Sequence, residues 1–127
     1  MLEVCIIVST CRLRPHIIVC ECASCAHTVL VCETPGSPRR VGGQGDVLAG
    51  AVGAFSSWAQ ILLENKSDMM KDLDWTCVAC LGASMTTRIA SRLAYKQHAR
   101  SMLSSEVVNQ AGVSLDALLR DCHQSKL

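Results

Sequence analysis

Val41-Gly42-Gly43-Gln44-Gly45-Asp46 leads straight into an apolar run from Val47 to Leu63, and this junction limits what the chain can become. Three glycines without a Cβ let the backbone turn with φ > 0 and come close to a ligand at little steric cost. The run that follows has Leu48, Val52, Phe55, Ala59 and Leu62 at helical spacing, which makes one apolar face of a helix. A helix starting directly after such a loop presents the unpaired N–H groups of its first turn and the positive end of its dipole. Loop and helix together form an anion site, with Asp46 at its rim. Donors for phosphoryl oxygens, beside an acceptor for the proton of an attacking hydroxyl, are what phosphoryl transfer requires.

Two better-known glycine loops are excluded. A P-loop needs a Lys after its last glycine, and none follows here. A dinucleotide fingerprint beginning at Gly43 needs glycine at position 48, where the chain has Leu48. Upstream, Gly36-Ser37-Pro38-Arg39-Arg40 sets two guanidinium groups next to the loop. A solvated basic pair is the ordinary reading of Arg39 and Arg40, but beside an anion turn arginine suits phosphate oxygens. Gly50 and Gly53 on another side of the helix would admit a close neighbour. Intramembrane aspartyl proteases also carry GxGD, yet their aspartate lies between apolar segments, whereas Ser37-Pro38-Arg39-Arg40 precedes this one. Ser56, Ser57 and Gln60 interrupt the apolar run, which is at the short limit for a bilayer, so a membrane span is not expected.

With 127 residues, half of them apolar, and a net charge of +1, the chain reads as one domain or part of one. Only Phe55, Trp58, Trp75 and Tyr95 are aromatic, too few for a base-stacking surface, and the charge balance argues against a polyanion partner. Six of the nine cysteines precede Glu33. No secretory leader is expected, because Glu3 takes the place of a positive n-region and the run from Val4 to Val8 is short; free thiols in a reducing compartment follow. Cys20, Cys22, Cys25 and His27, with Cys32 beyond, invite a zinc reading. A second close ligand pair at the usual spacing is lacking, so buried or incidental thiols are the expectation.

The β-branched runs Val4 to Val8 and Ile17 to Cys20 read as buried strands, with a third from Thr28 to Cys32 that ends at the turn Thr34 to Pro38. After the glycine loop the chain reads as helical. The polar stretch from Glu64 to Asp74 is a connection, and Asp74 is placed to cap a helix from Trp75 to His98. Val78, Leu81, Met85, Ile89 and Leu93 form its expected inner face, while Arg88, Arg92, Lys96 and Arg100 read as its solvated face. Cys77 and Cys80 read as small packing residues rather than a redox pair. Ser104 is expected to cap a short helix over Glu106 to Gln110 that stops at Gly112. Ser114 is expected to start a last helix through Leu115, Leu118 and Leu119, with a polar tail from Asp121.

The segment from Val31 to Gly53, and more loosely onward to Ser105, resembles the ATP-dependent (S)-NAD(P)H-hydrate dehydratases, a branch of the ribokinase-like fold. The run from Gly36 to Gly50 carries the resemblance, supported by Ala83-Ser84 with Arg88 and by Gln97-His98-Ala99-Arg100-Ser101. The family's Lys-Gly segment followed closely by Asp has no counterpart before Thr28. The resemblance therefore implies the carboxy-terminal portion of an α/β domain over residues 28–127, preceded by poorly matching strands over 1–27. The whole domain has a mostly parallel sheet; this portion has short strands before residue 33 and mainly helices after it.

By position, the resemblance makes Asp46 the catalytic base facing the substrate hydroxyl, and Gly43, Gln44 and Gly45 the phosphate cradle. Gly36, Ser37, Pro38, Arg39, Arg40, Val41 and Gly42 would line the ATP side, with Mg2+ accompanying ATP. The implied reaction is ATP-dependent dehydration of hydrated NADH or NADPH, a lyase-type repair of nicotinamide nucleotides. The helix dipole favours an anionic side chain at Asp46, which makes it an acceptor first and a modest base. Another ribokinase-like small-molecule kinase and a non-catalytic truncated chain are the alternatives. The expected partner is a small molecule, without nucleic acid or membrane, and a homo-oligomer stays open. The expected compartment is cytoplasmic, or mitochondrial where a native amino terminus is missing.

Overall fold

The computed structural model describes residues 3–7, 16–21, 28–65 and 75–124. Strands β1 (Glu3–Ile7), β2 (His16–Glu21) and β3 (Thr28–Cys32) fall where the β-branched runs predict them. They form one sheet in the order β1-β2-β3, with Ile6 opposite Ile18 and Ile18 opposite Leu30. Both pairings are antiparallel, unlike the mostly parallel sheet that the resemblance implies. The connections over residues 8–15 and 22–27 are shorter than the dozen or so residues a parallel crossover needs, so adjacent strands must reverse direction. Cys22, Cys25 and His27 of the cysteine cluster lie outside the described residues, as do Asp74 and most of the polar connection before it.

Among the described residues, everything after β3 with regular structure is helical: α1 (Gln44–Asn65), α2 (Trp75–His98), a 3-10 turn (Ala99–Ser101), α3 (Ser104–Asn109) and α4 (Ala111–Gln124). The α/β division of the chain is thus as expected, with strands before Glu33 and helices after it.

The central helix is α2, which touches α1, α3, α4, β2 and β3. Its ends match the expectation, but its buried surface does not. Of the five large residues expected inside, only Ile89 is buried; Val78, Leu81, Met85 and Leu93 are half-buried. Small residues are buried instead, among them Cys77, Ala79, Cys80, Ala83, Ser84, Thr87, Ala90, Ser91 and Ala94. A helix enclosed on several sides uses small side chains to let its neighbours approach. The hydroxyls of Thr86, Thr87 and Ser91 meet the cost of burial locally, donating to the carbonyls of Gly82, Ala83 and Thr87 at 2.9, 2.8 and 2.8 Å. Arg88, read from the sequence as solvated, is also buried; Lys96 and Arg100 are exposed as expected, and Arg92 is half-buried.

Where α1 crosses α2, the contact is made by Gly82. A Cβ there would come within 2.6 and 2.8 Å of the Phe55 ring, whose other neighbour is Trp58 at a centroid distance of 5.2 Å. Gly50 and Gly53 do not serve this packing: both are exposed, with nothing within 4 Å of a Cβ. The apolar face of α1 is covered only near its start. Leu48 is buried and Phe55 half-buried, whereas Trp58, Ile61, Leu62 and Leu63 are exposed. Gln44–Glu64 is long and apolar enough to cross a membrane by length and composition alone.

Two helix starts differ from the expected ones. Leu103, not Ser104, is the N-cap of α3, because the Glu106 carboxylate accepts the Leu103 N–H. The last helix begins at Ala111 rather than Ser114 and runs through Gly112 and past Asp121 to Gln124. Ser114 lies inside it, donating its N–H and its hydroxyl to the Gln110 carbonyl at 3.0 and 2.6 Å. Together α1, α2 and α3 enclose a core of Ala90, Ala94, Met102 and Val107, against which Val41, Val47 and Tyr95 pack.

Ala99, the residue just after α2, has φ of +48°, a left-handed conformation that a Cβ disfavours. Ala99→Gly is expected to stabilise the chain by about 0.5–1 kcal/mol, the strain removed less the added freedom of the unfolded chain, read as a higher midpoint in a thermal melt. In the same assay Gly82→Ala should lower stability by about 1–3 kcal/mol, the usual range for overpacking.

Candidate functional site

The site begins with a single left-handed residue. Gly43 has φ of +83°, and its carbonyl accepts the N–H groups of Asp46 at 3.1 Å and Val47 at 3.2 Å. The helix therefore starts at Gln44, three residues ahead of the apolar run, and Gly45 and Asp46 lie inside its first turn rather than on a loop before it. Gln44 N–H reaches the Val41 carbonyl at 3.4 Å. Gly45, the remaining donor of that turn, has no acceptor among the described residues. Space is open where a Cβ of Gly42 or Gly45 would stand, so this face of the loop is clear for a ligand. Asp46 is exposed at its edge.

A third element closes over the turn. A Cβ on Gly43 would lie 3.2 Å from both Cβ and Oγ of Ser104, the first residue of α3, and 3.9 Å from Oδ2 of Asp46. Two polar side chains thus stand around Gly43, one from α1 and one from α3. The sequence marks Ser104 only as a capping residue; nothing in its spacing says that α3 folds back over the loop.

The upstream arm is held in its own way. Ser37 is buried, and its hydroxyl donates to the Arg39 carbonyl at 2.6 Å while accepting the Arg39 N–H at 3.0 Å. This local turn gives the polar side chain its partners and sets the path of the backbone through Pro38. Arg39 is half-buried and Arg40 exposed. Arg88 of α2 reaches under the arm: its Nε donates to the Thr34 carbonyl. Its Nε, Cγ and Cζ stand 3.6–3.7 Å from the place of a Gly36 Cβ. Gln44 contributes its backbone to the first turn, but its side chain leaves the site, with Nε2 donating to the Ser91 hydroxyl on α2.

The residues singled out in sequence run without a break from Gly36 to Asp46. They form one bent segment whose ends are tied to α2 and whose middle is open. No group of three His, Cys, Asp or Glu side chains suited to a metal ion occurs among the described residues. Cys77 and Cys80 are buried in the packing of α2, away from this segment in sequence and role.

The chain's similarity to known proteins takes in this segment and most of the rest of the chain. A family model described as NAD(P)H-hydrate dehydratase matches residues 18–111. A protein of Danio rerio named ATP-dependent (S)-NAD(P)H-hydrate dehydratase is 40% identical over 82 residues, covering 65% of this chain and 24% of that protein. Proteins of the same name from Arabidopsis thaliana and Schizosaccharomyces pombe are 45% and 36% identical, covering 64% and 74% of this chain. This chain spans 22% and 30% of those two relatives' lengths. No solved structure matches the chain.

The steric environment of Gly43 makes a matched test. Gly43→Ala should cost about 1–2 kcal/mol from the left-handed backbone alone, with the Ser104 contact added to it. Gly42→Ala, which meets nothing within 4 Å, should cost less, the comparison being made by denaturant or thermal unfolding.

Proposed function

The chain belongs to the NAD(P)H-hydrate dehydratase family, and from that premise we propose that its glycine loop and Asp46 are the phosphoryl-transfer element of an ATP-dependent dehydratase acting on hydrated NADH or NADPH. The observation that carries this reading is the turn at Gly43, which starts α1 so that the open Gly45 N–H and the Asp46 carboxylate share the helix's first turn. The turn supplies N–H groups and a positive dipole end where phosphoryl oxygens need them. Asp46 accepts the proton of the nicotinamide-ring hydroxyl as that oxygen takes the terminal phosphoryl group of ATP. Loss of the phosphate with the adjacent proton then restores the ring double bond, so that ATP and hydrate become ADP, phosphate and NADH or NADPH.

The segment from Gly36 to Gly42 suits the nucleotide side. Arg40 is exposed next to the open glycines, and Arg39 follows the Ser37 turn. Guanidinium groups there would counter the charge of the phosphates. Magnesium would arrive on the ATP phosphates, holding and neutralising them, as it is commonly bound through substrate oxygens with few protein ligands. The donors and the lone carboxylate of this loop fit that mode better than an all-protein cage.

The chain spans between 22% and 30% of these relatives' lengths, and the loop described here bears on the phosphate end of the reaction, not on recognition of the nicotinamide ring. The test separates binding from chemistry. Mg-ATP should raise the thermal midpoint of the chain, since a ligand that binds only the folded state stabilises it. Asp46→Asn should keep that rise while lowering ATP-dependent recovery of NADH absorbance from the hydrate by about 100-fold or more, the range for loss of a general base. Unchanged recovery would remove Asp46 from the mechanism, and a midpoint indifferent to Mg-ATP would remove the phosphate site.

A further inference from the structure

Helix α2 meets the bent segment at two points on one face. Arg88, 6% exposed, donates from Nε to the Thr34 carbonyl and lies along Gly36. Ser91, 1% exposed, accepts from Nε2 of Gln44 and donates its own hydroxyl to the Thr87 carbonyl at 2.8 Å. Residues three apart on a helix are neighbours on its surface, so the two contacts lie about one turn apart. Arg88 holds the chain just before Ser37, and Ser91 holds it just after Gly43. Between them runs the whole open segment with Arg39, Arg40 and the glycines.

Packing alone does not account for these side chains. A buried guanidinium carries a desolvation cost that an apolar side chain of similar volume would avoid, and Arg88 has no ion pair among the described residues. Its hydrogen bond goes to the backbone of the segment it holds. Gln44 likewise buries Oε1 without a partner among the described residues, an unfavourable arrangement kept alongside the bond to Ser91.

We propose that Arg88 and Ser91 are positioning residues: α2 sets the spacing between the two arms of the phosphate segment, and so the affinity for a nucleoside triphosphate. This rests on the reading of the segment as a phosphate site, and the test keeps the two claims apart. Arg88→Met, Ser91→Ala, Gln44→Met and the double variant of the last two are made in the full chain. Amide hydrogen exchange over residues 33–46 is compared with that over α4, and Mg-ATP affinity is measured by calorimetry.

Arg88→Met and Ser91→Ala should speed exchange over 33–46 more than over α4. Each should weaken Mg-ATP by about 5- to 10-fold, the effect of losing one ordinary hydrogen bond. The double variant should be no weaker than Ser91→Ala alone, because both substitutions remove the same bond. Exchange over 33–46 that stays at the parent rate in both variants overturns the proposal, as does parent-like Mg-ATP affinity. If the parent chain itself binds no Mg-ATP, the phosphate reading fails, and the exchange data alone decide whether α2 holds the arms. Should Arg88→Met not fold, the Ser91 and Gln44 cycle still decides.

Discussion

The structure depends on how closely its elements approach α2. Small buried side chains let this one helix contact α1, α3, α4 and two strands, and the hydroxyls of Thr86, Thr87 and Ser91 bond back to carbonyls one turn earlier. These three hydroxyls leave water with a partner each, whereas the Ser84 hydroxyl is buried without one among the described residues. Gly82 carries the same logic to its limit, since the Phe55 ring occupies the space a side chain would take. The glycine segment proposed to hold phosphate rests on this helix.

That segment owes its form to two kinds of constraint. Some are local: the left-handed turn at Gly43, the Ser37 hydroxyl serving both ends of one residue, and the repeated use of the Gly43 carbonyl. Others come from far along the chain, with Arg88 under Gly36, Ser91 on Gln44 and Ser104 above Gly43. Local constraints shape the turn, while distant ones set where its two arms stand. An anion site needs both, because donors bind a phosphoryl group only when their mutual placement is settled before the ligand arrives.

The two halves of α1 show the same division of labour in packing. Val47 and Leu48 near its start are drawn into or against the interior, and Phe55 meets Gly82. Beyond them, Trp58, Ile61, Leu62 and Leu63 continue the apolar pattern but remain exposed. Periodicity describes which face of a helix is apolar; it carries no information on how far along that face a neighbour extends.

How much was legible beforehand follows from the range of the forces involved. The three strands, the span of α2, the glycine turn with its carboxylate and the family resemblance all depend on residues near one another in sequence, and the sequence by itself determined them. It misplaced what depends on partners many residues away. The inner face of α2 proved to be its small residues, because a helix packed on several sides rewards close approach over side-chain size. Arg88 reads as one of four spaced charges on a solvated face until the Thr34 carbonyl is brought beneath it, and Ser104 reads as a cap until α3 folds over Gly43. Those placements were decided only by tertiary structure, since burial and hydrogen bonding between residues some 50 positions apart exist only once the chain has closed on itself.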